Sequence, residues 1–206
     1  MPGGREANGK LLLVTERRVH DKSEDEAEIH GDLGTWMVAY QGGEMEAFEQ
    51  LYRKTANALR KYLLAMTLNA SRAEELLQET FLQVHRARHT YQRPRPVKPW
   101  LFGIARHVYL MDCRAWHRRH RLEETGHEET PDLAIPSSFE VFAERDLLKR
   151  SLSLLSPEQR EPLLLHHYWG LSFKEIAGVL GIREGAAKVR AHRALARLRS
   201  LVGGAR

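Results

Sequence analysis

Between Leu171 and Arg193 the chain reads as a capped helix, a glycine turn and a second, basic helix, an order of signals that few arrangements besides a helix-turn-helix accommodate. Ser172 and Glu175 form a capping box that starts the first helix, and Gly181 falls where a left-handed backbone stops it. In the second helix Ala187, Ala191, Ala194, Leu198 and Leu201 recur at spacings of four and three, which makes one apolar face. Lys188, Arg190, Arg193 and Arg197 lie off that stripe. A basic face opposite a packed one suits contact with phosphate; the plainer reading is a solvated charge face.

With 206 residues, 42% of them hydrophobic, the chain can bury one or two ordinary cores, and two small domains suit it better. Its net charge of +5 favours a polyanionic partner only weakly, so the local clustering of cations carries more weight. The single cysteine, Cys113, excludes an internal disulfide framework and fits a reducing cytosol. Leu11 to Val14 is far too short for a membrane span or a signal-peptide core and runs into Glu16, Arg17 and Arg18, so the expectation is a cytoplasmic protein without membrane insertion. Residues 1–30 are polar and charged with early glycines, and read as a mobile extension.

Helical spacing of Met45, Phe48, Leu51, Tyr52, Leu59, Tyr62, Leu63 and Met66 predicts a long helix over Glu44 to Leu68, with a shorter one around Leu33 to Tyr40 before it. Ser71 with Glu74 forms a capping box for a helix to about Arg88, burying Ala73, Leu76, Leu77, Phe81 and Val84. Pro94 and Pro96 impose a constrained loop, and Pro99 suits a first helical position. The helix that follows ends in a basic, aromatic-bearing stretch from Arg114 to Arg121, similar in composition to a nucleic-acid-binding surface. Residues 122–138 are acidic and carry Pro131 and Pro136, as a linker would. Glu140 to Leu155 is expected to be helical, and Ser156-Pro157-Glu158-Gln159 starts the next helix. No useful β-alternation appears, so the fold class is all-α: two small helical domains joined by an acidic linker, the second with the helix-turn-helix.

Catalytic and metal chemistry find little support. His85 and His89, or His117 and His120, have the spacing of a helical ligand pair, but no third ligand of matching spacing follows. No glycine-rich phosphate loop, nucleophile elbow or paired catalytic carboxylates is apparent, so the expectation is no catalytic residue, no metal and no cofactor. Cys113 beside Arg114 is either a reactive thiol or, more commonly, a small packed residue.

Two segments together carry a family resemblance. Ala73-Glu74-Glu75-Leu76-Leu77-Gln78-Glu79-Thr80-Phe81, followed by Trp100-Leu101-Phe102-Gly103-Ile104-Ala105-Arg106, resembles region two of the extracytoplasmic-function group of bacterial sigma factors. Leu155 to Glu161, Gly170 to Ala177, Leu180 to Ile182 and Lys188 to Ala194 resemble region four of the same group, in family order. The resemblance divides the chain into an extension (1–30), region two (31–121), a linker (122–138) and region four (139–206).

That resemblance implies a protein that binds core RNA polymerase, directs it to promoter DNA and opens the duplex. It assigns Glu75, Leu76, Gln78 and Glu79 to the polymerase, whose clamp helices the polar face after Ser71 would meet. The loop from Thr90 to Lys98 would capture a flipped base of the minus-ten element, with Tyr91 stacking and Arg93, Arg95 and Lys98 neutralising phosphate; the other reading of Tyr91 is a core aromatic. Arg106, Arg114 and Arg118, with His107 and Arg119, would follow along the promoter. Arg183, Glu184, Ala186, Lys188, Arg190 and Arg193 match the positions that read the minus-thirty-five element, by base edge or phosphate. An anti-sigma factor is the implied regulatory partner. The chain departs from the family pattern at Pro162, where an aliphatic residue is usual, at Arg183, where a capping serine is common, and at Ala186-Ala187. Two rivals stay open at this point, a sigma-like decoy that binds only an anti-sigma factor and a dimeric helix-turn-helix regulator; the second leaves Ser71 to Arg121 unexplained.

Overall fold

The computed structural model describes residues 33–123 and 152–203, with side chains described over 33–119 and 152–200. No strand forms among the described residues. The expected extension at 1–30 lies outside them, as does the acidic linker apart from positions 122 and 123, and the helix expected from Glu140 is described only at its end, 152–153.

Helix α1 (33–41) buries Leu33, Met37 and Tyr40, spaced four and three apart, against the rest of the first half. A turn at Gly43, whose φ of 102° suits glycine, leads into α2 (Met45–Thr67). This helix buries Leu51, Leu59, Tyr62, Leu63 and Met66 along one stripe. It ends at Leu68 in the left-handed region, where the Leu68 amide donates to the Leu64 carbonyl. The chain is extended at Asn69, whose side chain accepts from the Arg72 amide at 2.9 Å and so caps α3 (Ala70–Ala87). The cap therefore falls two residues before Ser71. Once Leu68 has turned the chain, Asn69 reaches the Arg72 amide, the third of the helix, and Ser71 is left exposed inside the first turn.

The buried stripe of α3 comprises Ala73, Leu76, Leu77, Thr80, Phe81 and Val84. A short 3-10 turn (Arg88–Thr90) and a proline-rich loop then lead to α4 (Val97–Glu123). That helix starts two residues before Pro99, which still sits in the first turn, where a missing amide costs no internal hydrogen bond. It also runs past Arg121, the end expected for the first domain. Arg72 ties α3 to α4, its Nε donating to Asp112 at 3.0 Å, and it pairs with Glu75 on its own helix.

In the second half, Ser156 precedes α5 (Pro157–His167), with the Gln159 side chain accepting from the Ser156 amide at 3.4 Å. Pro162 lies inside α5 without breaking it. The carbonyl that its missing amide cannot serve, four residues back, belongs to Glu158, which is exposed. Helix α6 (Phe173–Leu180) has the Ser172–Glu175 capping box and a left-handed Gly181 at φ 66°, and α7 (Glu184–Gly203) follows.

The two halves do not keep separate cores. Leu165, Trp169, Leu171, Ile176, Leu180 and Ala187 join the cluster built by α1 to α4, while Leu155, Leu163 and Ala194 form a small second cluster of their own. Helix α5 packs on α2, and α6, the first helix of the helix-turn-helix, packs on α4.

Candidate nucleic-acid interface

The helix-turn-helix is present as its signals require. Ala187, Ala191 and Ala194 are fully buried, which lets α7 approach α5 and α6 closely. Lys188, Arg193 and Arg197 are exposed on the outer side, with Arg183 and Glu184 exposed at its start. Ala186 and Arg190 are half-buried. Arg183 caps α7 by its carbonyl, which accepts from the Ala186 and Ala187 amides at 2.9 and 3.1 Å. No serine is needed there, and Glu184 in the first turn complements the helix dipole.

A second cationic surface lies on α4. His107, Met111, Arg114 and Arg118 share one exposed face at spacings of four, three and four, with Arg119 exposed beside it. Arg114 leans back on that face, its guanidinium 3.6 Å from the Met111 sulfur. Arg106 does not belong to it. It points to the opposite flank, where its Nε contacts the Glu161 carboxylate of α5 at 3.2 Å and only a quarter of its side chain is exposed. The expectation that Arg106 faces DNA is corrected for this conformation, because the adjacent buried carboxylate takes the guanidinium.

The loop between α3 and α4 is also cationic. Gln92, Arg93 and Arg95 are exposed, and Arg93 donates to the Thr35 hydroxyl at 3.0 Å. Lys98 is half-buried at the start of α4. Tyr91 is not available to stack on a base: it is 5% exposed, edge-on to Trp100, and donates its hydroxyl to the Arg95 carbonyl at 2.7 Å. Of the two readings of this residue, the core aromatic is the one found. Its role is to hold the loop in shape, with Gln41 of α1 donating to the Arg88 and Tyr91 carbonyls at 2.7 and 2.9 Å.

On α3, Glu75 and Gln78 are exposed and Glu79 is half-buried, accepting from Gln83 at 2.6 Å. Leu76 is 5% exposed and faces the core, so its assignment to a partner surface is corrected. Leu82, which the sequence reading passed over, is 43% exposed and lies in line with Glu75, Gln78 and Glu79. It places an apolar spot inside an acidic face, and its position three beyond Glu79 was the available signal. Of the paired histidines, His85 is held at Nδ1 by the Tyr40 hydroxyl at 2.6 Å, and Cys113 is half-buried near Tyr109.

The contacts that the sequence reading missed lie where the halves meet. Tyr62 is fully buried and donates to Glu161 at 2.5 Å, and Trp169 packs edge-on to it with ring centroids 5.7 Å apart and against Phe102 at 5.5 Å. Arg160 is buried and donates to the Ala65 carbonyl of α2 at 2.6 Å and to its own Leu155 carbonyl at 2.8 Å. Burial pushes the Glu161 carboxyl above its ordinary range despite the opposing pull of Tyr62, Arg106 and Arg190. Burial likewise lowers Arg160 and raises Tyr62. Two neighbouring charged residues on the buried side of a helix were the only sequence signal of this contact.

A helix-turn-helix with an exposed basic helix, joined in one chain to a helical lobe bearing its own cationic face, defines a DNA-binding transcription protein built from two helical halves. Family models for "Sigma-70 region 2" and "Sigma-70, region 4" match residues 51–122 and 145–198. The chain is 37% identical over 169 residues to the RNA polymerase sigma factor CarQ of Myxococcus xanthus, a match covering 81% of this chain and 95% of the relative. It is 32% identical over 163 residues to the ECF RNA polymerase sigma factor SigL of Mycobacterium tuberculosis, covering 76% and 89%. Among solved structures it is similar to the sigma factor RpoE in complex with the anti-sigma factor NepR from Bartonella quintana, with a TM-score of 0.64 and 26% identity over 77% of this chain and 98% of that one. CnrH, solved in complex with the cytosolic domain of CnrY, gives a TM-score of 0.63 and 25% identity over 84% and 97%. The chain belongs to the extracytoplasmic-function group of RNA polymerase sigma factors, DNA-binding initiation factors that act in promoter recognition. Among the described residues no helix is long and apolar enough to cross a membrane.

Proposed function

We propose that this sigma factor joins core RNA polymerase through the exposed face of α3, using Glu75, Gln78, Glu79 and Leu82, and that residues 31–121 and 139–206 then engage two separate promoter elements. In the first unit Arg93, Arg95 and Lys98 of the loop and Arg114 and Arg118 of α4 contact the minus-ten region. Binding energy for the displaced strand offsets the unstacking of its bases, so duplex opening needs no catalytic group and no cofactor from this chain. In the second unit Arg183, Glu184, Ala186, Lys188, Arg190 and Arg193 meet the minus-thirty-five element. The observation that carries this reading is the presence of two exposed cationic faces on separate helices, α4 and α7, in one chain. Such faces are of no use to a decoy that needs only an anti-sigma factor.

The working compartment of such a factor is the cytoplasm, where polymerase and DNA are. An anti-sigma factor is the proposed regulator, supported by the likeness to RpoE, which was solved with one bound. Run-off transcription with purified core enzyme on a promoter library tests the reading. A selected set of start sites is expected; the absence of any start site, with binding to an anti-sigma protein retained, would establish the decoy instead.

A further inference from the structure

Helix α1 grips the cationic loop between α3 and α4 at two places. Near the C-terminal end of α1, Gln41 directs both hydrogens of its side-chain amide at backbone carbonyls, Arg88 at 2.7 Å and Tyr91 at 2.9 Å. The Arg88 carbonyl also accepts from the Tyr91 amide at 3.3 Å, so Gln41 is the closer of its two donors. Near the other end of α1, about 9 Å away along the helix axis, the Thr35 hydroxyl accepts from Arg93 at 3.0 Å. Between these two residues Tyr40 is buried, and the Arg88 guanidinium lies over its ring, 5.9 Å from the centroid. The loop also closes on itself, with the Tyr91 hydroxyl donating to the Arg95 carbonyl at 2.7 Å and the Arg95 amide to the Gln92 carbonyl at 3.1 Å. Every residue from Gln92 to Pro96 is exposed, so the backbone there rests on these few contacts and not on burial.

Resting on the promoter-opening reading above, we propose that Gln41 is a positioning residue for strand capture: by fixing the Arg88 and Tyr91 carbonyls at the base of the loop, it holds Arg93 and Arg95 where the displaced minus-ten strand meets them. Helix α1 thereby sets how readily the duplex opens without itself contacting DNA. A backbone ordered in the free protein loses no further conformational freedom on binding, whereas a slack loop must be ordered by the strand it captures. That cost falls on the step in which binding energy for the strand offsets unstacking, and not on contact of α7 with intact duplex. Arg93 is suited to be held and to bind at once. Its guanidinium carries five N–H donors, of which Thr35 takes one, and the side chain is exposed, so the rest can meet phosphate.

Gln41→Met keeps the length of the side chain and removes both donors. Initiation is measured with the full-length chain and core polymerase, the complex in excess, on two forms of one selected promoter: the intact duplex and a template already mismatched across the minus-ten region. Gln41→Met is expected to lower initiation from the duplex about tenfold, the equivalent of two ordinary hydrogen bonds, and from the premelted template by less than about twofold. A merely structural defect would lower both alike. In an Arg93→Ala, Arg95→Ala background the effect of Gln41→Met is expected to shrink below about twofold, because the groups it positions are gone. Thr35→Val, isosteric and at an exposed position, is expected to act in the same direction by about two- to threefold. Equal losses on the two templates, an undiminished effect without the two arginines, or opening by Gln41→Met at the parent's rate would overturn the positioning role and leave the sigma-factor reading intact. Should Gln41→Met fail to fold, Thr35→Val decides on the same two templates, and parental opening by it overturns the proposal. Failure of the parent to initiate from the intact duplex would instead remove that reading, and the positioning role with it.

Discussion

Among the described residues, the first half of the molecule supplies its own interior, whereas the second half places most of its buried apolar residues in that of its neighbour. Helices α1 to α4 interlock Tyr40, Leu59, Tyr62, Leu63 and Val84, all essentially inaccessible. Among the described residues the second half encloses Leu155, Leu163 and Ala194 in a small cluster of its own, lined by Leu152, Leu195 and Leu198, and places Leu165, Trp169 and Ile176 in the cluster of its neighbour. A small helical unit with a recognition helix packed through alanines has little large apolar surface to bury by itself. The comparison teaches that the DNA-reading half draws part of its stability from the half beside it, so its order and its position are linked.

The largest expected effect comes from Trp169→Ala, which removes the side chain common to both interiors. A loss of about 3–5 kcal/mol is expected. Calorimetry should then show two unfolding transitions where the parent shows one; a single shifted transition would mean that the halves share no more than their chain. Leu63→Ala is the control, with a loss of about 2–5 kcal/mol confined to the first half. Next comes Arg160→Met, which keeps the bulk and strands the Ala65 and Leu155 carbonyls, for an expected loss of about 2–3 kcal/mol in chemical denaturation. Gly181→Ala should cost about 1–2 kcal/mol, because its left-handed backbone strains any side chain and not because of crowding, as a Cβ there would meet no atom within 4 Å.

Two subtler measurements separate the halves by charge. Burial raises the Glu161 carboxyl, so the folded protein holds that proton more tightly than the unfolded chain does. The resulting penalty is absent below the ordinary carboxylate range, enters as pH rises through it and is complete above the raised folded value. Glu161→Gln should therefore gain in melting temperature relative to the parent as pH goes from about 4 to about 7, and a constant difference would show that the carboxylate is not desolvated. For the exposed cations, Arg193→Ala should flatten the salt dependence of promoter affinity by about one unit, whereas an unchanged slope would remove that residue from the interface.

Local structure was legible because it is written in neighbouring residues. The Ser172–Glu175 box, the glycine at 181 and the periodic leucines of α2 and α3 each specify a helix end or a buried stripe within a turn or two. The Asn69 cap was missed because Ser71 offers the same spacing to Glu74, and only the left-handed Leu68 decides between them. What the apolar stripes do not state is what they pack against. Arg106, on a basic helix, reads like any cation of a DNA-binding face until Glu161, fifty-five positions away, is brought beside it. Leu76 was misplaced, and Tyr91 left between two readings, for a related reason: a motif position names a residue type, and the burial of its side chain is decided by distant partners.

The end of α2 carries one more consequence. Its Ala65 carbonyl takes its proton donor from an arginine nearly a hundred residues later in the chain, while the Leu64 carbonyl beside it is served locally by the Leu68 amide. When that arginine leaves, the Ala65 carbonyl has solvent alone to satisfy it, and the final turn should open more often. The rate at which its amides trade hydrogen for deuterium thus becomes a built-in gauge of separation, readable without attaching anything to the molecule.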